Sequence, residues 1–198
     1  MKNYETKLPD GYQPVYRIDA KNRKIIWILN IVSLLLFAAV AVPLFAWLKI
    51  TTSKPLYELL DLGIFRYLVL IAIYIAYIFA HELTHGAAYY ALTRQHLTFG
   101  TSLFIAYCGV PNIYVYRKPA LIAVLAPFVT YSIIFSLGII ISNSFTWQVV
   151  WIMALAVHVG GCVGDLWATL ILIFRFKGYP YLLIRDTGPK LTFYNKLT

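Results

Sequence analysis

Two imidazoles and a carboxylate stand within five positions at His81-Glu82-Leu83-Thr84-His85, with Gly86 next. On a helix, residues i and i+4 share a face, so His81 and His85 can grip one ion while Glu82 stands beside it. Zinc takes neutral imidazole nitrogens and carboxylate oxygens, and a catalytic site keeps three protein ligands and an open position for water. Glu82 is then the natural general base for that water. The setting sharpens the reading. Tyr67 to Ala80 carries no charge, and the first Lys, Arg, Asp or Glu after Glu82 is Arg94. A charged side chain in such a run costs roughly 2.5 kcal/mol or more to insert, which makes a functional site the default expectation.

The third ligand must come from elsewhere. No glutamate follows Glu82, which excludes a downstream-Glu zinc site, and Ala88 and Ala91 stand where the extended metzincin pattern needs Gly and His. Asp165 is the best candidate. Every other carboxylate except Glu82 falls in a loop or a tail. At 1.5 Å of rise per residue, His81 and Asp165 each lie about 15 Å in from the ends of their runs, so two parallel helices can bring them to one level. His158, one heptad before Asp165, reads as an outer partner of the ligands, a proton relay or a packing residue. Thr84 is a further candidate for an outer partner, and His96 reads as plain surface. Gly160, Gly161 and Gly164 would allow close helix approach. Cys162 reads as a small buried residue, and a disulfide with Cys108 is not expected.

The elements that position these groups follow from composition. Hydrophobic residues make up 61% and charged residues 13%, against roughly half and a quarter in soluble chains. The expected fold class is an all-α integral membrane protein, with four transmembrane helices over about 25–48, 67–92, 120–141 and 146–174. Each run is long enough for the ~20 residues that crossing requires. Pro43 would kink the first. The stretch 97–116 is rich in β-formers, and Gly109-Val110-Pro111-Asn112 reads as a turn. It predicts a short β-hairpin-like insertion pairing 97–107 with Ile113–Tyr116. Residues 1–24 read as a polar arm rather than a cleavable signal peptide, and 175–198 as a polar tail. Ser53-Lys54-Pro55 would open a brief interfacial helix with Glu58 and Asp61 facing water. Of the Lys and Arg residues, Lys49, Lys54 and Arg66 alone fall on the side opposite the termini. The positive-inside rule therefore predicts a multi-pass cell-membrane protein with both termini cytosolic. The net charge of +9 is membrane-flanking charge and predicts no nucleic-acid partner. No oligomeric state follows from the sequence.

These residues resemble a known group. His81-Glu82-Leu83-Thr84-His85-Gly86 in one span, a β-like segment, Ala126-Pro127 in a third span and Gly164-Asp165 in a fourth are similar to the small bacterial zincin membrane peptidases. Those are themselves similar to the site-2 protease class of intramembrane metalloproteases. The resemblance covers roughly residues 65 to 175. It implies that His81, His85 and Asp165 hold one Zn²⁺ and that Glu82 activates water. It also implies that part of the 97–116 segment pairs with an unwound substrate by strand addition, with Asn112 a candidate polar contact. The class commonly has glycine where this chain has Thr84, and here Leu166-Trp167 follows Asp165. The implied function is hydrolysis of peptide bonds in membrane-associated proteins or peptides. The alternatives are a non-catalytic metal-binding scaffold in the lipid bilayer and a proton or metal-ion transporter.

Overall fold

The computed structural model describes residues 2–20, 22–53, 63–102 and 105–196. Helices dominate: α1 (Arg23–Thr52), α2 (Gly63–Thr93), α3 (Arg117–Ile141), α4 (Phe145–Gly161) and α5 (Val163–Leu170), which runs on into a π-helical turn over Ile171–Arg175. The strands are β1 (Tyr4–Glu5), β2 (Tyr12–Asp19), β3 (Thr98–Ser102), β4 (Ile105–Gly109), β5 (Tyr114–Tyr116), β6 (Leu183–Asp186) and β7 (Lys190–Lys196). Local signals set the helix ends. The Asn22 side chain accepts the backbone N–H groups of Lys24 and Ile25, capping α1. Arg94 takes a left-handed conformation that stops α2 at Thr93. Helices α1, α2 and α3 are each long and apolar enough to cross a membrane, and α4 with the α5 segment passes the same test as one bent pair.

The chain divides into two compact units: Met1–Trp27, Phe79–Pro127 and Gly164–Thr198 form one, and Ile28–Ile78 with Phe128–Val163 the other. The first unit holds a five-stranded antiparallel sheet in the order β1-β5-β6-β7-β2. Its inner face, through Val115, Ile184 and Phe193, packs with Tyr89, Ala123, Val124, Ala168 and Leu172 into one core. The second unit is helical. Leu48, Ile139, Val149 and Ile152 form one apolar cluster and Tyr77, Phe135 and Ala154 another. Its outer surface is apolar too: Leu34 is 67% exposed and Ile140 75%.

Four expectations change. The class is not all-α, because the polar arm and tail are strands: β2 from the arm pairs with β7 from the tail, Tyr12 opposite Lys196. The hairpin has different partners. Strand β3 pairs with β4, Phe99 opposite Cys108, whereas β5 joins the large sheet between β1 and β6. The turn after β4 is real, with Ile113 N–H donating to the Val110 carbonyl, but it leads from one sheet into the other. The fourth apolar run is not one straight helix but a bent pair of helices broken at Cys162. Among the three glycines, only Gly160 makes a close approach. A Cβ there would lie 2.8 Å from the Ser33 carbonyl of α1, while Gly161 and Gly164 face open space. The expected interfacial helix over Lys54, Glu58 and Asp61 lies outside the described residues.

Candidate metal centre

Helix α2 presents His81 and His85 one turn apart, their rings 4.9 Å between centroids and nearly perpendicular. Helix α5 brings Asp165 against both. Oδ2 lies 3.1 Å from His81 Nε2, and Oδ1 lies 3.4 Å from His85 Nε2. One donor atom from each of the three lies within 4.8 Å of the others. The edge of a tetrahedron with ligand distances near 2.1 Å is about 3.4 Å, so the two imidazole–carboxylate spacings suit a shared small cation.

The tautomer of His85 strengthens that reading. Its Nδ1 donates to the Ala123 carbonyl of α3 at 2.8 Å, which leaves Nε2 of the neutral ring as an acceptor. That lone pair faces a carboxylate oxygen, and two acceptors at 3.4 Å repel unless a cation or proton stands between them. A histidine whose far nitrogen is tied to a carbonyl is also the usual posture of a metal-binding imidazole. The donor set, two imidazoles and a carboxylate, is one zinc accepts.

Glu82 is half-buried beside this cluster, and the Cys108 backbone N–H reaches its carboxylate. Cys108 sits opposite Phe99 in the β3–β4 hairpin, and in an antiparallel ladder successive residues alternate between bonding the partner strand and facing away. Gly86 lets β3 come so close: a Cβ there would lie 2.7 Å from the Phe99 ring. Gly109 is needed on the other side, where a Cβ would lie 2.5 Å from the Gly188 backbone nitrogen. The glycine after the second histidine is thus a packing requirement.

A further layer escaped sequence reasoning. Tyr89, one turn beyond His85, donates its hydroxyl to Asp186 Oδ2 at 2.7 Å, and the Gly188 N–H donates to Oδ1 at 2.8 Å. The Asp186 carbonyl accepts from Val110 N–H at 3.0 Å. Asp186 therefore ties α2, the end of β4 and the β6–β7 turn together. Burial pushes its carboxyl up to about 6, against the opposing pull of the Tyr89 and Gly188 hydrogen bonds. Only the i+4 spacing from His85 to Tyr89 hinted at this. Burial, with Asp186 and Glu82 adding to it, also raises the Cys108 thiol to about 12, so it offers no thiolate near neutral pH.

The remaining expected residues have other hydrogen-bond partners or stand exposed. Thr84 donates its hydroxyl to the Ala80 carbonyl of its own helix at 2.8 Å. Asn112 is exposed in the turn after β4, with no hydrogen bond to the cluster among the described residues. His96 is exposed. His158 is fully buried in the helical unit, where its Nδ1 meets the Tyr77 hydroxyl at 2.7 Å and its Nε2 meets Ser132 Oγ and the Phe128 carbonyl, each at 3.2 Å. Cys162 and Cys108 are both buried, and neither is in a disulfide.

The family model that matches residues 74–179 is described as putative zincin peptidase. No curated protein and no solved structure matches the chain.

Proposed function

From the premise that the chain belongs to the putative zincin peptidase family, we propose that it is a membrane-embedded zinc metallopeptidase that hydrolyses peptide bonds of membrane-associated proteins or peptides. The observation that carries the reading is the convergence of His81 Nε2 and His85 Nε2 on the two Asp165 carboxylate oxygens, with His85 Nδ1 tied to the Ala123 carbonyl. His81, His85 and Asp165 would hold one zinc ion, which when bound supplies Lewis acidity to a water and to the scissile carbonyl.

The chain's own residues do the rest. Glu82 accepts a proton from the attacking water at its carboxylate and delivers it to the departing amine nitrogen, so one water is consumed for each peptide bond broken. The Cys108 N–H reaching that carboxylate holds it in place between the two transfers. The outward edge of β4 offers backbone groups on which an extended substrate can lie. The apolar faces of α1, α2, α3 and the α4–α5 pair meet lipid, as the exposed Leu34 and Ile140 favour. With both termini cytosolic, as the distribution of Lys and Arg supports, the site opens toward the cytosol. This reading also carries the similarity to the site-2 protease class.

Cleavage of a membrane-anchored peptide by full-length protein in proteoliposomes tests it. Wild type should cleave, lose activity to a chelator and regain it with zinc, while Glu82→Gln should keep zinc and lose cleavage. Stoichiometric zinc without any cleavage by wild type would refute the peptidase in favour of a binding scaffold.

A further inference from the structure

Away from the histidine cluster, a cavity of 680 Å³ opens in the sheet-bearing unit at the start of α3 and the end of α2. Four cationic side chains line it: Lys2, Arg117, Lys118 and Lys177. Among the described residues no carboxylate lines it, although Glu5 pairs with Lys2 at 2.6 Å and offsets one of the four charges. Arg117 is held rigidly, donating Nε to the Leu172 carbonyl at 2.7 Å and Nη1 to the Lys177 carbonyl at 3.4 Å. Those bonds use two of its five donors. Lys118 and Lys177 are exposed and have no ion-pair partner among the described residues. Helix α3 begins at Arg117, so its first unbonded N–H groups add to the positive field.

The same cavity is also lined by the apolar Leu92 and Ile122. Ile122 is 54% exposed and sits on a helix that passes the membrane-crossing test. Tyr116 and Tyr181 line it as well, and tyrosine favours the headgroup level. A ligand matching both the basic and the apolar lining carries a phosphate and an acyl chain. We propose that this cavity binds the headgroup of an anionic phospholipid, with its phosphate among Lys118, Lys177 and Arg117 and its chain along Leu92 and Ile122. Basic pockets between membrane helices suit this chemistry. The site goes beyond the peptidase reading and rests only on its membrane component.

The test uses the full chain in detergent, titrated with phosphatidylglycerol or phosphatidylcholine of identical acyl chains and read by native mass spectrometry. Wild type should hold one phosphatidylglycerol in preference to phosphatidylcholine. Lys118→Gln with Lys177→Gln should weaken phosphatidylglycerol on the order of twenty-fold, since each basic residue near such a headgroup contributes about a five-fold factor. A charge-matched control, Lys24→Gln with Lys196→Gln, should change it by less than about three-fold. Equal weakening by both pairs, or none, overturns the site. Displacement of the lipid by equimolar glycerol 3-phosphate would assign the cavity to a soluble phosphate and overturn the lipid assignment. Release of the protein from phosphatidylcholine vesicles by alkaline carbonate would refute the membrane reading itself, whereas lost selectivity with retained insertion refutes the site alone.

Discussion

Two buried histidine centres occupy the two units of this chain, and they are wired in opposite ways. At His158 both ring nitrogens meet protein partners, Tyr77 on one side and Ser132 with the Phe128 carbonyl on the other. Aromatic rings of Tyr77, Phe128, Tyr131 and Phe135 surround it. At His85 one nitrogen is tied to a carbonyl and the other is turned on a carboxylate. Burial is the same in kind. What differs is whether the inward-facing nitrogen is already satisfied. A satisfied imidazole specifies packing, whereas one that turns a ring nitrogen on a carboxylate leaves a place that a proton or a metal cation can fill.

The contrast can be broken most forcefully at the open centre. Glu82→Gln should lower peptide cleavage by about 10²- to 10⁴-fold with zinc content unchanged by elemental analysis. His85→Ala should remove stoichiometric zinc as well as activity, and retained zinc would mean the ion sits elsewhere. At the closed centre the effects should be thermodynamic. His158→Ala leaves the Tyr77 hydroxyl without its 2.7 Å partner and opens a cavity, costing about 2–4 kcal/mol. Thermal unfolding in detergent should show the loss while zinc per folded chain stays at the wild-type value. Asp186 sharpens the comparison from beneath the open centre. Its folded carboxyl is raised to about 6, above the unfolded value near 3.9, so the folded state binds this proton more tightly. The resulting stability, on the order of 3 kcal/mol, is complete below about pH 4 and lost as pH rises through about 6. Melting of wild type should therefore rise from pH 7 to pH 5, and Asp186→Asn should flatten that slope. The smallest effect is expected at Cys108, whose buried thiol, raised to about 12, should resist iodoacetamide at pH 7.5 until the protein unfolds.

The chemistry was legible in the sequence because its spacing is local. His81, Glu82 and His85 fall on one helix turn, and the apolar run around them made any charge conspicuous. Asp165 was reachable because carboxylates are scarce inside apolar runs. The large sheet was not legible. Strand β2 finds its partner β7 some 180 residues away, Tyr12 opposite Lys196, and each strand alone reads as a polar segment flanking a span. Asp186 was hidden for the same reason, since only the fold of the tail brings it to Tyr89. The Ala123 carbonyl and Cys108 N–H are backbone groups, so no residue type announces them. The bend at Cys162 was masked by an uninterrupted apolar run, where helix continuity is the default.

The central claim is that one ion is held by His81, His85 and Asp165. X-ray absorption at the zinc edge on full-length protein tests it most directly. The account predicts a first shell of nitrogen and oxygen only, at about 2.0–2.2 Å, with imidazole scattering from two histidines and loss of that spectrum in Asp165→Ala. Sulfur at about 2.3 Å, or an unaltered spectrum in the Asp165 variant, would contradict it.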